Sequence, residues 1–187
     1  MKKIALILFA IIFLATPLLS FGQEETPANE KKNLSYAFIN EYGTFMGGTI
    51  GFTGIFVNGV SINKQDIIGL GVGYEVDTES GQSLPFFLNY RHYFPGKRAL
   101  KPLVNFAVGA RICFWDEYIG YPYYYERDGY IYEEWYGEFR SKVDPGFYAT
   151  MAAGFKVKAF SFTSGFFMKS CAKHFYGGVE VKVGFTF

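Results

Sequence analysis

Residues 177–187 read GGVEVKVGFTF. Val179, Val181, Val183, Phe185 and Phe187 occupy one parity, and Glu180, Lys182, Gly184 and Thr186 occupy the other. Successive side chains of a strand point to opposite faces, so this is a ribbon with one wholly apolar face and one polar face. A soluble domain ordinarily leaves a frayed polar tail. Here the alternation runs on to an aromatic residue, and the same rule governs most of the chain.

Eight segments carry the period of two, separated by turn chemistry. DIIGLGVGYEV (66–76) sets Ile68, Leu70, Val72, Tyr74 and Val76 against Ile67, Gly69, Gly71, Gly73 and Glu75. SLPFFLNYRHYF (83–94) sets Leu84, Phe86, Leu88 and Tyr90 against Phe87, Asn89, Arg91 and Tyr93. LVNFAVGARICF (103–114), GFYATMAAGFKVK (146–158) and FSFTSGFFMKS (160–170) follow suit. The first two strands, Leu34 to Phe45 and Ile50 to Ile62, are less regular, and a change of apolar parity near Gly54 reads as a bulge. Each segment is near the length a tilted strand needs to cross a bilayer. Connectors such as NKQD (63–66), PGKRALK (95–101) and the Lys158–Ala159 link are short and fall at one end. Those at the other end include the long stretch from Trp115 to Asp144. Short turns on one side and longer loops on the other are the asymmetry of outer-membrane barrels.

A soluble ligand-binding barrel of the lipocalin type is the competing all-β fold. The minority face decides against it: it carries Gly, Ala, Ser, Thr and Asn with isolated charges, where a soluble outer surface is highly charged. The apolar face is therefore expected to meet lipid. An eight-stranded barrel has an interior just wide enough for side chains to fill, and a buried ion there must be paired. Glu75 and Glu180, with Glu41, are the expected partners of Arg91, Arg111, Lys156, Lys169 and Lys182, making a polar lumen network and no open pore. Tyr42, Tyr74, Tyr93, Phe114 and Trp115, near strand ends, are expected in interfacial girdles.

Composition supports strands with large outward and small inward groups: of 187 residues 22 are Gly, 22 Phe and 15 Tyr. MKKIALILFAIIFLATPLLSFGQEE has the basic start, apolar run and small-residue end of a secretory signal peptide, over residues 1–22. An N-terminal membrane anchor is the alternative, disfavoured by Pro17 and the polar residues that follow at once. A short polar segment, 23–33, then leads to the barrel, 34–187. Removing the signal changes the formal charge from +1 to −1, which offers no footing for nucleic acid.

These features together, with GLGVGYE (69–75), LPFFLNYRHYF (84–94) and VKVGFTF (181–187), resemble the small eight-stranded outer-membrane barrels of the OmpA/OmpX-like group. The resemblance implies a closed antiparallel up-and-down transmembrane barrel in the outer membrane of a Gram-negative bacterium. It also implies insertion by the outer-membrane assembly machinery, with Phe187 as the assembly signal, and contact with lipid and lipopolysaccharide. A soluble peptidoglycan-binding domain of the OmpA kind is not found after the barrel residues, so cell-wall tethering is not expected. The chain is expected to act as a monomer.

Chemistry-bearing patterns are few. GLGVG lacks the spacing of a nucleotide loop and does not open a helix. Ser170, His174 and Glu180 are the constellation a lipid A-modifying enzyme would use at the outer rim, but residues four apart around a turn are near each other in any case. The histidines and cysteines show no metal spacing, and no cofactor is expected. Cys113 and Cys171 sit on strands five and seven. Two strand spacings of about 4.8 Å would hold their alpha carbons near 10 Å, so a disulfide is disfavoured unless the loops rearrange.

The third outer loop, WDEYIGYPYYYERDGYIYEEWYGEFRSK (115–142), is the most distinctive stretch. Asp128 and Gly129 between aromatic alternating arms signal a two-residue hairpin that extends strands five and six as a ribbon. Tyr123, Tyr125, Tyr130, Tyr132, Trp135 and Tyr136 are its candidate contact residues, stiff surfaces suited to a host protein or glycan. The plainer reading is that these rings pack across the ribbon on one another.

Overall fold

The computed structural model describes residues 33–78, 81–95, 100–127, 130–171 and 174–187. The expected signal peptide, nearly all of the polar segment after it, and the Asp128–Gly129 turn lie outside the described residues. Eight strands follow one another: β1 (Leu34–Gly47), β2 (Ile50–Ile62), β3 (Asp66–Asp77), β4 (Gly81–Tyr93), β5 (Leu100–Arg127), β6 (Tyr130–Val157), β7 (Phe160–Cys171) and β8 (His174–Thr186). Each pairs antiparallel with its sequence neighbour, and β8 closes on β1 from Ile39↔Thr186 to Gly47↔Gly178. The result is a closed up-and-down barrel, in which every strand of the wall finds two partners for its backbone groups.

Alternation sorts the side chains as the sequence predicts. Ile68, Leu70, Leu88, Phe166, Val181 and Phe185 point outward, while Arg91, Arg111, Lys169, Glu180 and Lys182 are sealed inside. The expected bulge is absent: Gly54 pairs with Tyr42 on one side and Tyr74 on the other, in unbroken registers. What looked like a change of parity is a change in what fills the lumen. Ile55 and Val57 point inward with Ile39, Ile67, Phe87 and Leu103 as an apolar plug, while Phe56 on the outer face is covered by the rings of Phe38 and Tyr42. Phe87 lies over Gly71, where a Cβ would collide with the ring, and its other neighbour is Tyr148 at 5.0 Å.

β5 and β6 outrun the wall. β4 pairs with β5 only as far as Phe114, and β7 pairs with β6 only from Tyr148, yet β5 and β6 stay paired out to Arg127↔Tyr130. Residues 115–127 of β5 and 130–147 of β6 thus stand beyond the wall, and the thirteen of β5 alone make about 40 Å of ribbon at strand rise. Pro145 marks the departure, since it has no N–H to extend a ladder.

Two further expectations are corrected. Tyr93 is not a girdle residue: it is buried in the apolar plug, because its parity is that of Arg91. The disulfide disfavoured above is present, joining Cys113 to Cys171 with alpha carbons 6.1 Å apart. The flat-sheet spacing fails there because β6 has released β7 by that level. The end of β7 leans toward β5 over Gly146, where a Cβ would collide with the Ser170 carbonyl.

Candidate functional site

The lumen holds two ionic layers, set by the inward parity of six strands. Toward the ribbon end, Lys169 Nζ lies 2.6 Å from Glu75 Oε1 and 3.7 Å from the ring centroid of Phe45, with Phe167 at 4.6 Å. Arg111 reaches Glu75 at 3.7 Å and Asp77 at 3.3 Å, and donates to Ser83 Oγ at 2.6 Å and Tyr176 Oη at 2.7 Å. One carboxylate thus bridges two cations drawn from different strands. Deeper, Arg91 Nη2 donates to Glu41 Oε1 at 2.7 Å, and Lys182 Nζ lies 2.6 Å from Glu180 Oε1. All of these charged side chains are at most 1% exposed. Desolvating so many ions is costly, and only pairing and hydrogen bonding repay it.

Of the sequence-predicted lumen residues, Glu75, Arg91, Arg111, Lys169, Glu180 and Lys182 fall in these two layers, as does Glu41. Lys156 does not: it sits half-buried at the turn-end mouth, its ammonium 5.0 Å from the centroid of Tyr93. Asp77, Ser83 and Tyr176 were missed, although Asp77 and Ser83 share the parity of Glu75 and Arg111. The apolar lid over the upper layer, Phe45, Phe167 and the Cys113–Cys171 bond, was not foreseen either.

The β7–β8 register sets Ser170 opposite Phe175 and His174 opposite Cys171, so Ser170 and His174 stand at opposite parities of the hairpin. Ser170 Oγ accepts the Phe147 N–H at 2.8 Å, His174 is exposed, and Glu180 is inside the barrel paired with Lys182. No group of three metal-ligating side chains occurs among the described residues.

The ribbon has two unlike faces. The register places Tyr121 opposite Tyr136, Tyr123 opposite Glu134, Tyr125 opposite Tyr132 and Arg127 opposite Tyr130, all at one parity. Six tyrosines therefore share a face. Their rings interlock: Tyr125 stacks on Tyr132 at 5.5 Å and on Tyr123 at 6.1 Å, and Tyr123 meets Tyr136 edge-on at 5.9 Å. Glu134 ties them together, accepting from Tyr125 at 3.0 Å and Tyr136 at 3.3 Å. The bond to this carboxylate pushes the Tyr125 phenol above its ordinary value. Of the candidate contact residues, Tyr123, Tyr125, Tyr130, Tyr132 and Tyr136 are in this row. Trp135 pairs with Pro122 at the alternate parity, and Tyr121 joins the row unforeseen. At the base of the ribbon, Trp115 Nε1 donates to Asp144 at 2.6 Å, with Lys142 over the indole at 5.4 Å.

No protein-family model matches the chain, and no curated protein does. Among solved structures it is similar to Neisserial surface protein A, with TM-score 0.50 and 9% identity over 82% of this chain and 97% of that one. The N-terminal β-barrel domain of Pseudomonas aeruginosa OprF gives TM-score 0.48 and 13% identity, over 84% of this chain and all of that one. A de novo designed transmembrane β-barrel gives 0.40 and 11%, over 88% of this chain and all of the design.

Proposed function

The chain has the fold of small eight-stranded barrels, and from that premise we propose that it is a non-enzymatic integral protein of a Gram-negative outer membrane. One observation carries the reading: the barrel is inside out. Leu70, Leu88 and Phe52 are 69%, 58% and 71% exposed on the outer wall, among many other large apolar side chains. The charged groups are meanwhile sealed within. Soluble monomers rarely expose contiguous apolar patches beyond a few hundred Å², whereas lipid needs such a belt around a barrel whose backbone is internally paired. Phe187, with the outward row of β8, serves in this reading as the signal to the assembly machinery.

The lumen acts as a plug. Cross-strand ion pairs and the apolar layer of Ile39, Ile55, Phe87 and Tyr148 fill it, so the protein conducts nothing and acts through its surface. The working surface is the tyrosine face of the ribbon, standing clear of the lipopolysaccharide-facing rim. It offers rigid, amphipathic rings to a host protein or glycan at modest entropic cost. The exposure of Tyr121, Tyr130 and Tyr136, at 61%, 70% and 61%, supports a contact role beyond packing within the ribbon.

Membrane fractionation with heat-modifiable gel mobility tests the placement, and recovery in the soluble periplasm would sink it. Deleting Glu117 to Glu138 tests the ribbon: the barrel still inserts and folds, and adhesion to host surfaces is lost. A barrel that fails to insert would instead make the ribbon structural.

A further inference from the structure

At the turn end of the barrel, opposite the ribbon, a cavity of about 440 Å³ opens to the outside. Four lysines line it: Lys64 from the β2–β3 turn, Lys101 and Lys156 from β5 and β6, and Lys158 from the β6–β7 turn. No acidic side chain lines it among the described residues, and the main-chain carboxylate of Phe187, the last residue of the sequence, offsets one of the four positive charges. Nor does any of the four have an ion-pair partner among those residues, while the nearby carboxylate of Asp66 is engaged by Tyr90 and His92. Four ammonium groups against one carboxylate leave an excess of positive charge, which the concavity focuses.

The backbone supplies a second, independent sign. Lys64 and Lys158 adopt φ of 57° and 55°, the left-handed region where glycine is the ordinary choice and a long side chain is strained. Asn63, beside Lys64, has φ of 54° as well, so the first turn takes the form of a hairpin with two left-handed residues, and glycine would meet that need at position 64 and at 158. The chain instead sets an ammonium group at each, and both groups line the same cavity. The turn geometry thus accounts for the backbone, while the choice of lysine at both places is what brings two ammonium groups to the cavity.

We propose that this vestibule is a binding site for a phosphate-bearing ligand. Four ammonium groups with three rotatable donors each, beside the hydroxyls of Ser35, Ser61 and Thr186, suit an oxygen-dense, multiply charged group better than a lone carboxylate. The volume suits a small molecule or a headgroup. The phosphate comes either from a soluble compound or from a phospholipid of the adjoining leaflet. The second source rests on the membrane placement proposed above, and the first does not.

The test uses the folded full-length barrel. Inorganic pyrophosphate is titrated calorimetrically against detergent-solubilised protein at low and high salt. Melting is compared in vesicles of phosphatidylcholine with and without phosphatidylglycerol. The key variant is Lys64→Gly/Lys158→Gly, which removes two charges and relaxes both turns, so the fold is retained or strengthened. Lys156→Gln provides a second variant free of any turn effect, and Lys142→Gln on the ribbon is the control. A soluble source predicts saturable, salt-sensitive pyrophosphate binding, weakened at least tenfold in both vestibule variants and unchanged in the control. A headgroup source predicts no pyrophosphate binding but a phosphatidylglycerol-dependent rise in melting temperature, lost in the same two variants. Binding or stabilisation that the vestibule variants retain would overturn the proposal, as would the absence of both effects.

Discussion

Glu41 and Arg91 meet at 2.7 Å across the lumen, fifty residues apart in sequence, with their side chains 1% and 0% exposed. Their strands, β1 and β4, are not neighbours in the sheet, so the bond braces the barrel across its interior. Such a pair contributes little beyond an apolar substitute of equal volume, because desolvation consumes most of the Coulombic gain. Breaking it is another matter. Arg91→Met leaves a buried carboxylate without its partner and is expected to destabilise the barrel by about 3–5 kcal/mol. Glu41→Gln/Arg91→Met should recover most of that loss. Urea unfolding in lipid vesicles, followed by gel mobility, checks both, and equal losses in the single and double variants would refute the cross-lumen brace.

The disulfide makes a separate contribution at the ribbon-end mouth. Cys113 and Cys171 are 58 positions apart in sequence, and closing a loop of about that size in the unfolded chain is worth about 4 kcal/mol on the chain-entropy account. Cys113→Ala/Cys171→Ala is expected to lose about 2–4 kcal/mol, the range typical of measured bridges. The wall should persist in the variant, since every wall strand keeps its two neighbours. Unfolding with and without reductant measures the difference. A wild type indifferent to reductant would show that the bond does not contribute.

These two contacts mark what could and could not be read in the chain. The faces of β3, β4 and β8 were legible because one parity is apolar and the other small or charged. β2 was misread as bulged because Ile55 and Val57 face an apolar layer of the lumen: where both faces are apolar, alternation loses its contrast. Tyr93 fails as a girdle residue for a different reason: the alternation of β4 already sets it on the inward face with Arg91, and its place near the strand end does not override that parity. The disulfide was disfavoured by spacing drawn from a flat sheet, which neglects that β6 releases β7 beyond Tyr148. Ion partners were legible by type but not by pair. Which carboxylate meets which cation depends on strand stagger around the closed ring, and that is a property of the whole barrel.

Tyr125 and Glu134 give the ribbon a pH signature. The carboxylate of Glu134 accepts the Tyr125 O–H and raises the phenol above its ordinary value of 10.0. The phenol bonds in its protonated, neutral form. The contribution of this contact is therefore complete below pH 10 and is lost as pH rises through the higher value of the folded ribbon. Glu134→Gln should lower the Tyr125 titration midpoint while leaving tyrosines outside the Glu134 cluster unmoved. Ring-carbon chemical shifts of labelled tyrosine followed against pH report it, and an unchanged midpoint would show that the bond does not form in solution.

Gly71 and Phe87 test the packing of the apolar plug. The Phe87 ring occupies the space a Cβ at position 71 would need, and Tyr148 backs it at 5.0 Å, so the ring has little room to retreat. Gly71→Val is favourable for a strand by propensity. Its added Cβ and two methyl groups must nevertheless displace an aromatic ring in a lumen already filled, an overpacking expected to cost about 1–3 kcal/mol. Phe87→Ala alone leaves a cavity in the same layer and is expected to cost about 3–5 kcal/mol. Combined, the valine side chain grows into the space the ring vacates, so the double variant should be more stable than the sum of the two losses predicts. A double-mutant cycle by urea unfolding measures that coupling. Strict additivity would mean that the two positions do not share the space the structure assigns to them.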